Sequence, residues 1–337
     1  MQALNPCHPI MTVSRAIPAP DDPPIRIGVS ACLIGQEVRF DGGHKRNEFI
    51  TEIFGRFVEF VPVCPEFELG LGVPRETLRL VKGQDGKVSL IANESGIDHT
   101  MAMRAFADRR TASLAGEDLS GYLLKKDSPS CGMERVKVYG LRGTPSRDGR
   151  GLYAASLLNR YPNLPVEEEG RLNDPRLREN FIERVFAYRR LRTFFASRWT
   201  IGRLVAFHTA HKLQLLAHAP IAYSELGRFV ANAKGVAKGE VRDHYETTFM
   251  AALKQLATPA RHTNVLQHMT GYFSKHLETA SRRELMLLID DYRHSLVPLI
   301  VPITLIRHYV RVYSVSYLER QSYLEPHPKE LMLRNHV

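Results

Sequence analysis

Cysteine is scarce in this sequence, and its cysteines lie far apart. The chain of 337 residues contains four of them, Cys7, Cys32, Cys64 and Cys131. No C-x-x-C pair is present, which argues against a zinc ribbon and against a ferredoxin-type site built from sequential cysteines. So few cysteines in a chain of this length also argue against a disulfide-stabilised scaffold.

Long hydrophobic segments are also missing. The proline-rich residues 1–24 contain no apolar run long enough for a signal peptide or a membrane span, and we expect them to be disordered. The later run "HSLVPLIVPITLIRHYV" is short and carries Pro298 and Pro302, so it predicts a buried helix start or a loop. Without an export signal, the reducing cytoplasm is the expected compartment.

The positive charge is concentrated in the second half of the chain. Of the net charge of +10, residues 166–337 contribute +8, from 25 Lys and Arg against 17 Asp and Glu. Such asymmetry suggests a polyanionic partner, with nucleic acid as the first candidate. A merely basic surface would give the same count.

Residues 25–170 alternate β-rich and helical stretches. The runs "IRIGVSACL", "FVEFVPVC" and "SGYLLKKDSPSCG" each predict a strand that ends in a loop bearing a cysteine, with helical stretches "ITEIFGRF" and "GIDHTMAMRAFADRRTASLAG" between them. This order predicts a Rossmann-like α/β domain with a mainly parallel sheet. Ligand sites in such sheets lie beyond the carboxyl ends of the strands, so we expect the three cysteines to meet at one edge.

The sequence pattern of residues 171–337 predicts an all-α domain. Asp174 and Pro175 predict the N-cap and first position of a helix. Apolar residues then recur at helical spacing in successive amphipathic segments with short links.

Three loops each place one cysteine among small or proline neighbours: "SACLIG", "PVCPE" and "SPSCG". Three thiolates are one ligand short of closing a [4Fe–4S] cluster, and the iron without a protein ligand would be an open Lewis-acid site. The alternative is that Cys32, Cys64 and Cys131 are unrelated core residues. Cys7, in the predicted disordered leader, is outside either arrangement.

The motifs "GVSACLIGQEVRFDGG", "PVCPEFELGLGVPRE" and "KKDSPSCG" resemble, in the same order, those of the thiouracil desulfurases. The resemblance covers roughly residues 25–165, and one departure, "ELGLG" in place of a frequent glycine pair, leaves the cysteine and glutamate in position. The helical half, with "AHKLQLLAHAP", "YSELGRFVA" and "RHTNVLQHMTGYFSKHL", is similar to the uncharacterised domain fused to that enzyme in transfer RNA 4-thiouridine desulfidases.

This resemblance implies that Cys32, Cys64 and Cys131 hold a [4Fe–4S] cluster. The implied activity is a non-redox hydrolysis at the open iron, in which a thiolated uracil, most directly 4-thiouridine in tRNA, gives uridine and hydrogen sulfide. Two alternatives stay open. One is a desulfurase of free thiouracil or thiolated nucleotides, and the other is a non-enzymatic RNA-binding protein with a structural metal.

Hydrolysis requires a proton carrier near the cluster. Glu66, two residues after Cys64, is the first candidate, although a carboxylate there could simply favour a helix N-terminus. Asp41 in "FDGG" is the second, although Asp-Gly most often builds a turn. Five further residues are predicted to contact substrate or cluster, or else to satisfy loop backbone or lie solvated; they are Ser30, Arg75, Lys125, Ser128 and Ser130.

Histidines of the helical half allow two interpretations. His208, His211 and His218 share a helix face; a metal site is conceivable, but hydrogen-bonded core residues are the expectation. A second set, near Arg261, Lys275 and Tyr272, is predicted to line an RNA-facing surface; it comprises His262, His268 and His276.

Overall fold

A computed structural model describes residues 24–140 and 144–336. The predicted disordered leader and Cys7 lie outside the described residues, apart from Pro24. The described residues form eight strands: β1 Arg26–Ser30, β2 Glu59–Val63, β3 Leu78–Lys82, β4 Val88–Ala92, β5 Leu119–Leu124, β6 Val136–Tyr139, β7 Ser146–Gly149 and β8 Val166–Glu168.

Four of these strands form a wholly parallel sheet in the order β2-β1-β5-β8. Its central strands are buried on both faces, since every residue of β5 and four of the five in β1 are buried. Both-sided burial is typical of parallel sheets covered by helices. The predicted α/β architecture of the first half is therefore confirmed.

A second sheet was not predicted. It has the order β4-β3-β6-β7 and combines two antiparallel hairpins, β3–β4 and β6–β7, with one parallel contact between β3 and β6. The segment "ITEIFGRF" also differs slightly from expectation, because it forms a π turn, Phe49–Ile53, and a 3₁₀ turn, Phe54–Arg56, instead of an α-helix.

The described helices lie mostly in the second half, as predicted. They are α1 Pro65–Glu68, α2 Thr100–Ser113, α3 Leu152–Arg160, α4 Pro175–Ala196, α5 Ile201–His218, α6 Pro220–Ala231, α7 Lys238–Lys254, α8 Pro259–Gly271, α9 Thr279–Arg293, α10 Ile300–Tyr313 and α11 Ser316–Glu319. Asp174 caps α4 as predicted: its Oδ1 accepts from the backbone N–H groups of Arg176 and Leu177 at 2.8 and 3.2 Å. Among the described residues, no helix has the length and apolar character needed to cross a bilayer.

Helix α4 packs directly on the parallel sheet. Phe181, Ile182 and Val185 share one buried cluster with Ile27 and Leu123 of the sheet. Leu331 and Leu333, near the end of the described chain, join the same cluster. The helical half therefore completes the core of the α/β half and stabilises the strands whose ends carry the cysteines.

Candidate metal centre

Cys32, Cys64 and Cys131 line one cavity of about 390 Å³. Each follows a different strand of the parallel sheet, because Cys32 comes after β1, Cys64 after β2 and Cys131 after β5. The carboxyl ends of parallel strands point to the same edge, so residues 32 and 67 positions apart in sequence meet there. The structure thus brings the three predicted thiols together.

Cys32 lies on a 3₁₀ turn, Ala31–Ile34, which directly continues β1. Gly35 ends the turn at φ +94°, a left-handed conformation that suits glycine. The Cys32 carbonyl accepts the Lys45 N–H at 2.9 Å, which ties the turn to the next loop. Burial, together with the nearby Cys64, raises the pKa of the Cys32 thiol to about 11.

Cys64 is the N-cap residue of α1, and Pro65 takes the first helical position. The Cys64 N–H donates to Glu68 Oε1 at 3.0 Å, while Glu68 Oε2 accepts from Arg110 Nε of α2 at 2.9 Å. The Cys64 thiol donates to the Val38 carbonyl at 3.6 Å, and burial raises its pKa. Proline, glutamate and arginine together fix where this thiol points.

Cys131 is held by a tight loop. Ser128 Oγ accepts from the N–H groups of Ser130 and Cys131, at 3.2 and 3.0 Å, and the Ser128 carbonyl accepts from Gly132 at 2.8 Å. Burial raises the pKa of the Cys131 thiol far above its ordinary value, and a hydrogen bond with Ser30 only partly offsets this.

Among residues 24–140 and 144–336, no group of three or more His, Cys, Asp or Glu side chains converges tightly enough to hold a single metal ion. The three thiols do line the same cavity. Ligands of one ion must surround one point, whereas the cysteines of a cubane cluster each bind a different iron and stand further apart. Three soft sulfur donors around one cavity fit a polynuclear iron–sulfur group.

Glu66 is fixed by two partners inside the cavity wall. Its Oε2 accepts from Arg75 Nε and Nη2, at 3.0 and 2.7 Å, and its Oε1 accepts from Ser130 Oγ at 2.9 Å. Arg75 also donates Nη1 to the carbonyls of Val38 and Gly72, at 3.1 and 3.0 Å. The carboxylate is thus held in a defined orientation next to Cys64.

Lys125 brings a paired positive charge to the cavity. Its Nζ lies 2.5 Å from Glu169 Oε1, and its backbone N–H donates to Ser30 Oγ at 3.0 Å. Four more basic side chains contribute to the lining: Arg39, Lys45, Arg75 and Lys126. Against them stand the carboxylates of Glu66 and Asp127, so the cavity wall carries an excess of positive charge that suits anionic thiolates.

The predicted site residues do not all line the cavity. Ser30, Glu66, Arg75, Lys125 and Ser128 do, and Ser130 is fully buried behind Glu66. Asp41 is not among the lining residues; it is exposed, accepts from the Gly43 N–H at 3.1 Å and lies 3.3 Å from Arg39 Nε.

Sequence reasoning missed three residues that organise this site: Arg39, Glu68 and Glu169. Glu169 lies in the run "VEEEG" directly after β8, so it occupies the same sheet edge as the cysteines. Its partner Lys125 is 44 residues away in the sequence, so no local pattern marked it. Glu68 lies four residues after Cys64, one position beyond the glutamate of a capping box, so the standard capping pattern did not mark it.

The histidines on α5 are buried and hydrogen-bonded, as expected. The Nδ1 atoms of His208, His211 and His218 lie 3.2, 2.8 and 2.6 Å from Tyr245 OH, the Phe207 carbonyl and the Gln255 carbonyl. The prediction that His262 lines an RNA-facing surface is wrong, because its ring is buried and bonded to Tyr323 OH at 2.8 Å. His268 and His276 are exposed.

Comparison with known proteins gives two family matches. The model described as 2-thiouracil desulfurase matches residues 27–169, a span that contains all three cavity cysteines. A second model, described as a protein of unknown function (DUF1722), matches residues 212–328.

Two bacterial proteins are also similar to this chain. The uncharacterized protein YbgA of Escherichia coli (strain K12) is 34% identical over 165 residues, which are 49% of this chain and 98% of YbgA. The uncharacterized protein YbbK of Bacillus subtilis (strain 168) is 31% identical over 150 residues, 43% of this chain and 97% of YbbK. Among solved structures, the [4Fe-4S]-dependent thiouracil desulfidase TudS is 29% identical, with a TM-score of 0.37, and the match covers 44% of this chain and 94% of TudS.

Proposed function

The chain belongs to the 2-thiouracil desulfurase family, and we propose that it removes the sulfur of 4-thiouridine in tRNA by hydrolysis. The products are uridine in the RNA and hydrogen sulfide. One observation carries the proposal: three cysteines from three strand ends share a cavity with a glutamate whose orientation is fixed by an arginine and a serine.

We assign a [4Fe–4S] cluster to this cavity, with Cys32, Cys64 and Cys131 as its ligands. When bound through three thiolates, such a cluster supplies one iron with no protein ligand, which acts as a Lewis acid toward a thiocarbonyl sulfur. Burial keeps the three thiols protonated without the cluster, so loading releases their protons. Lys125 and Arg39, which favour the thiolate of Cys32 electrostatically, then offset part of the negative charge.

Glu66 is the proton carrier in this proposal. Water adds its oxygen to C4 of the thiolated base and gives a proton to Glu66 Oε1. That proton passes to the departing sulfur and the C–S bond breaks with release of hydrosulfide. The added hydroxyl loses its remaining proton to solvent, so a carbonyl replaces the thiocarbonyl. Each turnover consumes one water and releases one hydrogen sulfide, with no oxidant or reductant.

Arg75 acts in this scheme as a positioning residue. Its Nε, Nη1 and Nη2 are all occupied by Glu66 and by backbone carbonyls, which leaves it poorly placed to bind substrate. Ser130 supports Glu66 from the other side. Lys125, Ser128 and Ser30 remain the candidates for contact with the pyrimidine or with the cluster sulfurs.

The polymeric substrate is proposed on the basis of charge. The helical half carries most of the positive excess, and phosphate contacts make RNA binding salt-dependent. The test compares kcat/KM for thiolated tRNA and for free 4-thiouracil over a range of salt. We expect a steep loss with salt for tRNA only. Turnover of the free base alone, with no reaction on tRNA, would instead make the small molecule the substrate.

A further inference from the structure

A second cavity, of about 190 Å³, lies in the helical half and is lined by arginines. Arg190 comes from α4, Arg307 and Arg311 are one turn apart on α10, and Arg320 directly follows α11. Two carboxylates, Glu319 and Glu325, also line it. We call this the arginine cavity; four guanidinium groups against two carboxylates leave it with a positive excess.

Arg190 makes no salt bridge within the described part of the chain and is bonded to neutral groups. Its Nε donates to His211 Nε2 at 3.3 Å and its Nη1 to the Pro326 carbonyl at 2.9 Å, both of which are neutral acceptors. Its Nη2 is shielded from solvent and has no hydrogen-bond partner among the described residues. Burial lowers the pKa of Arg190 to about 10 even though the Glu183 carboxylate acts in the opposite direction, so an anion bound in the cavity would further stabilise this guanidinium.

The outer arginines are available for the same ligand. Arg307 is paired with Glu325, whereas Arg311 and Arg320 are exposed and make no ion pair or hydrogen bond within residues 24–140 and 144–336. Guanidinium groups present N–H donors in a fork that matches the oxygens of a phosphate. The cavity therefore combines one enclosed positive charge with two free guanidinium groups at its rim.

The wall between these arginines is rigid. Gln321 Nε2 donates to the Thr209 carbonyl at 2.8 Å and its Oε1 accepts the Leu213 N–H at 3.4 Å. The Ser322 N–H donates to the Ala210 carbonyl at 2.8 Å. These bonds fix the segment after α11 to α5 and so hold in place the backbone that carries Arg320.

We propose that the arginine cavity binds a phosphate group. In the presence of RNA, this is a backbone phosphate of the substrate, a statement that rests on the proposed function. The binding of phosphate itself does not depend on that function, because it follows from the charges and donors of the cavity alone.

The test uses the full-length protein with the double substitution R311Q/R320Q. R282Q/R283Q is the matched control, since these two arginines are exposed on α9, lie outside the cavity and remove the same charge. Melting temperatures are measured in inorganic phosphate and in chloride at equal ionic strength. We expect phosphate to raise the melting temperature of the wild type and of the control, and to leave R311Q/R320Q unchanged. Equal melting temperatures in chloride show that the variants fold.

RNA binding is the second arm. For thiolated tRNA we expect R311Q/R320Q to weaken binding about tenfold or more and to reduce the salt slope by about two, while the control changes both much less. Loss of the phosphate effect with unchanged tRNA affinity would assign the cavity to a free phosphate-bearing ligand. If both double variants respond to phosphate and to tRNA in the same way, the proposal is overturned. The melting-temperature measurement with inorganic phosphate does not depend on the desulfidase reaction. Failure of the proposed function can therefore be distinguished from failure of the phosphate-binding proposal.

Discussion

Two N–H groups of Arg75 donate hydrogen bonds to a single oxygen of Glu66: Nε lies 3.0 Å and Nη2 2.7 Å from Oε2. The other oxygen, Oε1, accepts one hydroxyl, that of Ser130 at 2.9 Å. The bonds to Oε2 therefore fix the position of the carboxylate. Oε1, which accepts only one hydrogen bond, keeps a lone pair that can accept a proton.

Glu66→Gln should keep the shape of this network and remove the proton acceptor. We expect the cluster absorbance to remain and kcat to fall by about 10² to 10⁴, the range for loss of a general base. Anaerobic turnover of 4-thiouridine-containing tRNA, together with the iron content of the same sample, measures both. A Glu66→Gln enzyme with wild-type kcat would remove Glu66 from the mechanism.

Asp41→Asn is the companion experiment, because Asp41 is the other carboxylate considered for proton transfer. Its side chain is exposed and stabilises the turn at Gly43. We expect kcat within about threefold of wild type, as befits a residue that does not contact the reacting atoms. A loss of kcat comparable to that of Glu66→Gln would transfer the role to Asp41.

Each cavity cysteine should be required for the cluster. We expect Cys32→Ser, Cys64→Ser and Cys131→Ser, reconstituted anaerobically with iron and sulfide, to lose most of the visible absorbance and bound iron. Cys7→Ser is the control and should load like the wild type, because the sequence places Cys7 outside the site. Full loading of any one cavity variant would show that its thiol is not a ligand.

Gly151 tests the position of the Cys131 loop without touching a thiol. A Cβ at this residue would lie 2.4 Å from the Ser130 carbonyl oxygen and 2.9 Å from the Cys131 nitrogen, both backbone atoms. Gly151→Ala must therefore displace the loop, and we expect a loss of about 1–3 kcal/mol in stability together with reduced iron loading. Urea unfolding and iron analysis measure these two effects.

Gly116→Ala is the matched control for that substitution, since a Cβ there would meet no atom within 4 Å. We expect unchanged iron loading and unchanged or slightly increased stability. Normal loading of Gly151→Ala would mean that the loop can shift without disturbing Cys131.

The helical half should be sensitive to mild acid. Burial lowers the pKa of His208 and His327 to about 4 and of His211 and His262 to about 3, from the ordinary value of 6.5. Below pH 6.5 the unfolded chain binds protons at these histidines and the folded chain does not, so stability falls as pH falls.

Two buried groups oppose this trend. Burial raises the pKa of Glu179 to about 7. Burial alone would lower the pKa of His218, but the neighbouring Glu183 carboxylate outweighs this and raises it. Both bind protons more readily in the folded state, so they contribute stability that is lost as pH rises. The four histidines outweigh these two groups, so stability falls on acidification between pH 6.5 and 5.

Urea unfolding at several pH values between 7.5 and 5 measures this slope. We expect His327→Gln, which removes one titrating ring, to reduce it by about 1 kcal/mol per pH unit. A flat profile over this range would show that the buried histidines become protonated without unfolding.

Much of the parallel sheet could be predicted from the sequence because three of its four strands, β1, β2 and β5, are short apolar runs, each followed by a cysteine loop. The β3–β4 hairpin was missed, although Asp85-Gly86 lies between two β-rich runs and Gly86 adopts φ +77° as such turns require. That signal is local and was readable. The pairing of β3 with β6, by contrast, joins segments more than 50 residues apart, and neither segment alone contains a pattern that predicts it.

The candidate site divides in the same way. The positions of the three cysteines at strand ends predicted that they would meet. Hydrogen bonds and ion pairs between residues distant in the sequence, by contrast, have no sequence pattern that predicts them. Glu169 pairs with Lys125 over 44 residues and Ser130 reaches Glu66 over 64. His262 was placed on the surface because its neighbours are basic, whereas its position on α8 turns the ring inward toward Tyr323.

The most direct test is single-turnover reaction of the anaerobically loaded protein with 4-thiouridine-containing tRNA in ¹⁸O-labelled water, without added reductant. We predict one sulfide released for each uridine formed, ¹⁸O at C4 of that uridine, and neither product from Cys64→Ala. Uridine without ¹⁸O, or sulfide release that requires a reductant or persists in Cys64→Ala, would contradict a hydrolysis that depends on the three-cysteine centre.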